Sequence, residues 1–311
     1  MTLLQPLANN YNYYPRTMIR FCEISYDDTN AIKTEVQNLG WTVAWGPAEL
    51  RDFFGVSYSL AFICQRNNAD EYTVVIRGTN MLSWDSWVKE DFAIGTTRPF
   101  NELAPHAPPN ALISHGTYRG TNDLLKLRSA NLGIVDFLRA RKPIYLYVTG
   151  HSLGGTLTPT MFAYLNDVLY GGGYVTNMAM WSFAGLTPGD VNFNAYLNSL
   201  SNPQFPFRLH NTLDVAPFCW WSRDSIKNIY QPYGLSWGFP EDDFWDDLFT
   251  RAKGKRYAQQ VGDQVLLGQF NKGIIDRHLW TAQAMYQHHS TTYRQLVDAA
   301  YPATNASSGS S

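Results

Sequence analysis

The chain has 311 residues, of which 45% are hydrophobic and 16% are charged, a composition typical of a globular protein that buries a large core. The net charge of −2 excludes the strong global field used to bind nucleic acid, so no nucleic-acid partner is expected. The three cysteines are widely spaced with no C-x-x-C pair, which argues against a disulfide framework and a zinc site.

No targeting or membrane-spanning segment is predicted. The first six residues lack a basic stretch followed by an apolar one, so no signal peptide is expected. No apolar run reaches the length of a transmembrane helix. The compartment stays open between cytoplasm, leaderless export and a mature secreted chain.

The first elements predicted along the chain are two helices and two strands. The helices cover residues 15–24 and 29–39, the second between capping residues and a terminating glycine. The strands cover residues 56–64 and 71–77, with a polar turn between them. The second strand ends in Arg77-Gly-Thr79.

An amphipathic helix is predicted directly after that strand, over residues 81–95. Its apolar face carries Trp84, Trp87 and Val88 among acidic and basic residues. Periodicity favours packing against the core, because apolar stripes of this kind usually face one. A lid that folds over an acyl-binding site is the alternative.

The remaining elements alternate in type. A long helix is predicted over residues 121–141, and a shorter one over residues 157–165. Buried strands are predicted over residues 144–148, 177–184 and 205–209. This alternation indicates an α/β fold with a doubly wound, mostly parallel central sheet and helices on both faces. Residues 1–301 are predicted to form a single domain, and residues 302–311 a disordered tail.

A pentapeptide of the form G-x-S-x-G lies between a predicted strand and a predicted helix. In Gly150-His-Ser-Leu-Gly154 the glycines flank Ser152, where larger side chains would clash in a sharp strand-to-helix turn. Such a turn raises the Ser152 hydroxyl at the N-terminus of the helix, where free N–H groups favour a developing negative charge. A glycine-rich turn with a surface serine is the alternative. The flanking strand and helix favour a nucleophile elbow.

A serine nucleophile needs a base, usually a histidine, that is oriented by a carboxylate. In α/β-hydrolases the acid and then the histidine follow the serine along the chain. Asp214 follows the strand over residues 205–209 in a loop that suits a functional carboxylate, whereas Asp190 fits an exposed turn. The histidines beyond the serine are His210, His278, His288 and His289, whereas His151 lies in the elbow itself. Since His288 and His289 are adjacent, at most one of them faces Ser152.

These residues resemble the class 3 lipase family of α/β-hydrolases, best known from lipases of filamentous fungi. Val74-Val-Ile-Arg-Gly-Thr79 is similar to a family strand that ends in Arg-Gly-Ser/Thr, and Gly150-His-Ser-Leu-Gly-Gly155 is identical to the family's elbow. The segment 211–217 resembles the stretch that holds the catalytic Asp before Val-x-Pro, and His289-Ser-Thr-Thr-Tyr293 resembles a late His-Ser-x-x-Tyr. The similarity spans residues 55–295.

The resemblance implies a catalytic triad of Ser152, Asp214 and His289, with His288 as the alternative base. It also implies an oxyanion hole formed by the backbone N–H groups of Thr79 and Leu153, and a lid over residues 81–95. The interval between Asp214 and the late histidines is longer than in the fungal enzymes and rich in aromatic residues. We therefore expect a cap insertion over residues 220–275 that walls the acyl-binding site.

The expected function is the hydrolysis of lipid acyl esters such as triacylglycerols through an acyl-enzyme, without a metal or cofactor. The expected partner is a lipid-like ester substrate at an oil–water or membrane interface. Two alternative enzymes would use the same chemistry, a phospholipase and a short-chain carboxylesterase. The alternative from another functional class is a non-catalytic module with the hydrolase fold, which binds a lipid or a protein. The oligomeric state is not predicted.

Overall fold

The computed structural model describes residues 13–52, 57–78, 93–200, 207–236, 241–259, 263–274 and 279–303. The α-helices in these ranges are α1 (Tyr13–Ile24), α2 (Thr29–Asn38), α3 (His115–Lys126), α4 (Ile134–Arg141), α5 (Leu153–Leu165), α6 (Val191–Leu200), α7 (Arg223–Asn228), α8 (Glu241–Ala252), α9 (Leu279–His288) and α10 (Ser290–Ala300). The strands are β1 (Trp41–Arg51), β2 (Ser57–Arg66), β3 (Glu71–Ile76), β4 (Thr97–Pro99), β5 (Leu112–Ser114), β6 (Tyr145–His151), β7 (Asn177–Phe183), β8 (Phe207–Asn211) and β9 (Asp263–Leu266).

A seven-stranded sheet in the order β1-β2-β3-β6-β7-β8-β9 organises the molecule. Within this sheet β3, β6, β7, β8 and β9 pair in parallel, whereas β1 and β2 form an antiparallel margin. Parallel strands require long crossover connections, and helices fill them here. The carboxyl ends of the parallel strands lie at one edge of the sheet, so the loops that follow β3, β6 and β8 meet there.

Both faces of the sheet are covered, as predicted. Neighbouring residues of a strand point to opposite faces, so Val74 and Val148 enter one core while Val75 and Tyr147 enter another. Helices α3 to α6 pack on the first face, and α1, α2 and α10 pack on the second. These layers confirm the predicted α/β architecture with its mostly parallel sheet.

A third hydrophobic cluster occupies the interval between β8 and α9, where the sequence predicts a cap. Trp220, Tyr230 and Trp245 are each no more than 3% exposed and belong to this cluster. The Trp220 indole N–H donates to the carbonyl of Thr187 at 2.7 Å, so its polar atom is satisfied inside the cluster. These aromatic residues form a core of their own, and the proposal that the interval walls an acyl-binding site stays a prediction.

The structure differs from the predicted elements in two places. The helix expected over residues 121–141 is two helices, α3 and α4, because Ala130 and Asn131 adopt left-handed backbone angles (φ 47° and 65°) and Gly133 starts a new helix. Strand β1 was not predicted, since Gly46-Pro47 interrupts its pattern. Proline is tolerated there because β1 is an edge strand with register shifts on both sides of Trp45.

The predicted lid falls largely outside the described residues. So do Thr79, Trp84, Trp87, Val88 and His278, as well as the tail from residue 304 onward. Within the described ranges, no helix is both long enough and apolar enough to cross a bilayer.

Candidate active site

The turn between β6 and α5 holds Ser152 in a strained conformation. Its backbone angles are φ 62° and ψ −122°, in a region that residues with a side chain rarely adopt. The conformation is supported on both sides of the residue. Its N–H donates to the carbonyl of Phe183 at 3.0 Å, and its carbonyl accepts from the N–H of Thr156 at 2.9 Å. The predicted elbow is therefore present, and it places the side chain of Ser152 at the N-terminus of α5.

The glycines of the elbow are required by close backbone contacts. A methyl group on Gly150 would lie 2.3 Å from the backbone of Gly154. A methyl group on Gly154 would lie 2.2 Å from the carbonyl oxygen of Ile76, on the neighbouring strand β3. Helix α5 can approach strand β6 at Gly150 and strand β3 at Gly154 this closely only because both positions lack a side chain.

A single imidazole connects the serine to a carboxylate. The Nε2 atom of His288 lies 2.8 Å from the Ser152 hydroxyl oxygen, and its Nδ1 atom lies 2.9 Å from Oδ2 of Asp214. Asp214 and His288 are at most 1% exposed, and Ser152 is 7% exposed. A carboxylate can only accept, so Nδ1 carries the proton and Nε2 is free to accept from the serine hydroxyl. This is the geometry of a serine, histidine and aspartate triad.

The expectation that His289 faces Ser152 is wrong, and His288 takes that position. His288 is the last residue of α9 and points into the core, whereas the chain turns into an extended conformation at His289 (ψ 138°). His289 is exposed, and its Nδ1 accepts the N–H of Thr291 at 3.2 Å as the N-cap of α10. Adjacent side chains at a helix end point in different directions, so only one can reach the serine.

The acid is held by donors on both carboxylate oxygens. Besides His288, Oδ2 of Asp214 accepts from the Tyr293 hydroxyl at 2.7 Å, and Oδ1 accepts from the N–H of Ala216 at 3.0 Å. Burial and the nearby charge of Asp214 raise the pKa of Tyr293 well above its usual value, so its hydroxyl remains a donor. The same hydroxyl oxygen accepts the N–H of Asn211 at 3.0 Å. Tyr293 therefore ties Asp214 to the end of β8.

The contact between Tyr293 and Asp214 was not predicted from the sequence. The only signal was the occurrence of Tyr293 at the end of the His-Ser-x-x-Tyr stretch. Asn211 was also not singled out. Its side-chain amide donates to the backbone carbonyl and to the side-chain oxygen of Gln287, at 2.9 and 2.7 Å. Since Gln287 precedes His288, this pair anchors the end of α9 against β8.

The other candidates of the sequence lie elsewhere. Asp190 is 2% exposed rather than in an exposed turn, and its carboxylate accepts the N–H groups of Leu112, Asn192 and Phe193. It therefore caps the start of α6. His210 is buried on β8 with its ring edge-on to Phe218 at 5.7 Å.

One of the two predicted oxyanion donors lies within the described residues. Leu153 is the first residue of α5, and the N–H groups of the first helical turn have no acceptor within the helix. Its N–H follows Ser152 directly, which is where a tetrahedral oxyanion needs a donor. Thr79 is outside the described residues, and the preceding residue, Gly78, lies against the elbow. A methyl group on Gly78 would lie 3.2 Å from the Cβ of Ser152.

The family model of class 3 lipases matches residues 73–221, a range that includes strand β3, the elbow and Asp214. The matched range covers just under half of the chain, and over this range the chain is similar to class 3 lipases. The match stops before His288, so the base is identified by the geometry at Ser152 and not by the match.

Solved structures resemble most of the chain. M37 lipase is 25% identical, over 96% of this chain and 94% of that chain, with a TM-score of 0.75. The Yarrowia lipolytica LIP2 lipase is 15% identical over 85% of this chain and 81% of its own, with a TM-score of 0.55. MDLA of Penicillium cyclopium is 15% identical over 89% of this chain and 85% of its own, with a TM-score of 0.52. The last two share the fold. No curated protein matches the sequence.

Proposed function

We propose that this protein hydrolyses the carboxylic esters of lipids, with triacylglycerols as the substrate class, through a covalent acyl-enzyme. The observation that carries the proposal is the imidazole of His288, within 2.9 Å of both the Ser152 hydroxyl and the Asp214 carboxylate. The match of residues 73–221 to class 3 lipases and the likeness to M37 lipase support a lipid ester as the substrate.

Acylation uses Ser152 as the nucleophile and His288 as the base. As the serine oxygen bonds to the ester carbonyl carbon, its proton moves to Nε2 of His288. Asp214 keeps the proton on Nδ1 and stabilises the imidazolium that forms. The N–H of Leu153 donates to the oxyanion, with Thr79 as the proposed second donor. The carbon–oxygen bond of the ester then breaks, and His288 gives its proton to the departing alcohol.

Deacylation reverses these roles with water as the nucleophile. His288 takes a proton from water, the resulting hydroxide attacks the acyl carbon, and the tetrahedral intermediate collapses. The bond to the serine oxygen breaks, that oxygen recovers its proton from His288, and the fatty acid leaves. The buried environment strengthens the electrostatic interactions of both steps, because little water screens them.

The substrate is proposed to be bound at an oil–water or membrane interface, beneath a lid over residues 81–95. The family resemblance supports the lid, for which Trp84, Trp87 and Val88 would supply the apolar face. An ester presented at an interface gives activity that rises sharply above the solubility limit of the substrate. A soluble ester substrate that needs no lid gives ordinary saturation.

The test of the function compares two serine variants on a p-nitrophenyl ester and on emulsified triacylglycerol. Ser152→Ala is expected to abolish hydrolysis and labelling by a fluorophosphonate, with an unchanged circular dichroism spectrum. Ser199→Ala is the matched control, because Ser199 is an exposed serine of α6 whose hydroxyl contacts only its own helix. Hydrolysis that survives in Ser152→Ala would reject the assignment.

A substrate panel tests the lipid class. Emulsified triacylglycerol is expected to be cleaved faster than phosphatidylcholine and faster than a soluble butyrate ester. Preference for phosphatidylcholine would identify a phospholipase, and preference for the butyrate ester without a rise above solubility would identify a short-chain carboxylesterase. A wild-type protein that neither reacts with the probe nor cleaves any of the three would be a binding module.

A further inference from the structure

His151, the residue before the proposed nucleophile, contacts the backbone of the proposed base. Its Nε2 atom lies 2.8 Å from the carbonyl oxygen of His288, and its Nδ1 atom lies 3.1 Å from the hydroxyl oxygen of Tyr26. The imidazole is 1% exposed, so both nitrogens depend on these protein partners. The sequence shows only that this histidine lies in the elbow.

The partners determine which nitrogen of His151 carries the proton. A backbone carbonyl can only accept, so Nε2 is protonated and donates to His288. Burial, followed by the proximity of His288, holds the pKa of His151 well below its usual range, so the ring is neutral near pH 7. The Nδ1 atom of a neutral ring with Nε2 protonated is an acceptor, and the Tyr26 hydroxyl donates to it. The His288 carbonyl thereby selects the tautomer of His151, and Tyr26 donates to the ring nitrogen that is left as an acceptor.

The carbonyl that His151 binds belongs to the C-terminus of α9. The last four carbonyls of a helix have no N–H partner within the helix, and His288 is the last residue of α9. The chain leaves the helix at the next residue. The His151 imidazole donates to this carbonyl inside the protein, and it thereby holds the backbone that carries the catalytic imidazole.

The neutral state of His151 also matters electrostatically. The rings of His151 and His288 are 5.1 Å apart, and His288 becomes an imidazolium in each step of the proposed reaction. A second positive charge at this distance would oppose that step. A neutral donor holds the carbonyl of His288 without this penalty, which a lysine or arginine at position 151 would impose.

The Tyr26 hydroxyl is confined by the loop after β3 as well. A methyl group on Gly78 would lie 2.3 Å from this hydroxyl oxygen and 2.5 Å from the carbonyl oxygen of His151. Gly78 precedes Thr79, the proposed oxyanion donor. The hydroxyl thus lies where the turn after α1, the elbow and the loop after β3 meet.

We propose that His151 is a positioning residue: its hydrogen bond to the His288 carbonyl, with Tyr26 holding the other ring nitrogen, fixes the location of the His288 imidazole relative to Ser152. The inference rests on the proposed ester hydrolysis and adds two residues to it. Neither residue touches the reacting atoms, because His151 acts on the backbone of the base and Tyr26 acts on His151. A change at either one affects the rate of proton transfer rather than the binding of the ester.

The kinetic test compares two substitutions of His151. His151→Leu removes the donor and is expected to lower kcat about tenfold to a hundredfold with little change in KM, the effect of losing the buried hydrogen bond that holds the backbone of His288. His151→Gln places an amide N–H close to the position of Nε2 and is expected to keep kcat within a few-fold of the wild type. An unchanged kcat in His151→Leu, or an equal loss in both variants, would overturn the proposal.

The first part of the spectroscopic test uses the native protein alone and requires no turnover. In long-range 1H–15N spectra of the native protein near pH 7, His151 is expected as the neutral tautomer with the proton on Nε2. In Tyr26→Phe the same tautomer is expected, because the His288 carbonyl still accepts from Nε2, but the ring loses its second hydrogen bond and kcat is expected to fall about threefold to tenfold. The opposite tautomer or an imidazolium in the native protein would overturn the proposal, as would an unchanged kcat in Tyr26→Phe.

The two tests separate this proposal from the proposed function. A wild-type protein without ester hydrolysis, but with the expected tautomer, would reject the function and leave the contact between His151 and the His288 backbone as a structural device. An active wild-type enzyme whose His151 variants are unaffected would reject the positioning role alone.

Discussion

The Nε2 atom of His288 lies 2.8 Å from the hydroxyl oxygen of Ser152, although the two residues are 136 positions apart. The neighbouring His289 is exposed and caps α10 instead. The structure therefore distinguishes two histidines that the sequence leaves as alternatives for the base, and substitution of each one tests the distinction.

His288→Ala is expected to lower kcat about 10⁴- to 10⁶-fold, because the serine then has no base. His289→Ala is the matched control, since it removes an imidazole one residue away. It is expected to keep kcat and to cost at most about 1 kcal/mol of stability through the loss of a helix cap. Hydrolysis of a p-nitrophenyl ester and urea unfolding measure the two effects. A larger kcat loss in His289→Ala than in His288→Ala would contradict the triad.

Tyr293→Phe is expected to lower kcat about tenfold and the free energy of unfolding by about 1–3 kcal/mol, because Asp214 loses a donor and the N–H of Asn211 loses its acceptor. Tyr286→Phe removes a hydroxyl from α9 that does not contact Asp214, and it serves as the control. Steady-state kinetics and urea unfolding are the measurements. Equal kinetics in the two variants would show that the Tyr293 hydroxyl does not position the acid.

Gly154→Ala is expected to destabilise the protein by more than about 3 kcal/mol, since backbone cannot move away as a flexible side chain can. The added methyl group would lie 2.2 Å from the carbonyl oxygen of Ile76. At Gly95 the nearest atom would be 3.8 Å away, so Gly95→Ala is expected to stay within about 0.5 kcal/mol of the wild type. Thermal and urea unfolding compare the pair, and similar values for both would contradict the close approach of β3 and α5.

Acid is expected to destabilise the fold through His151. Its pKa is well below the usual 6.5 in the folded protein, chiefly because of burial and then because of His288 and His289. Below about pH 6.5 the unfolded chain binds a proton that the folded protein does not bind. The free energy of unfolding therefore falls as the pH decreases, by up to about 1.4 kcal/mol per pH unit, while this contribution is constant above about pH 6.5.

The control for the acid effect is His151→Gln, which has no titrating group at this position. Its free energy of unfolding is expected to fall less steeply between about pH 6.5 and pH 5. The other groups around the ring, Tyr26, Tyr293, His288 and His289, are the same in both proteins, so the difference in slope reports His151. Parallel curves from urea unfolding would mean that this imidazole titrates normally.

Several features of the fold follow from local sequence rules. The strands and helices around Ser152 are those that the alternation of apolar residues predicts, and the glycines of the elbow have the steric role that the pattern implies. Rules of this kind act over a few residues, so they were least reliable where a turn interrupts a regular pattern. The break between α3 and α4 and the edge strand β1 are such places.

The residues of the site likewise divide into those that local sequence identifies and those that only the folded chain brings together. The sequence by itself determined a glycine-flanked serine between a strand and a helix, and an aspartate that follows the strand β8. Both depend on chain geometry near the residue itself. Only the tertiary structure decided that His288 is the imidazole at Ser152 and that His151 holds its backbone. Those contacts depend on where α9 ends against β6 and β8, and no local pattern encodes the meeting of segments that lie so far apart in the chain.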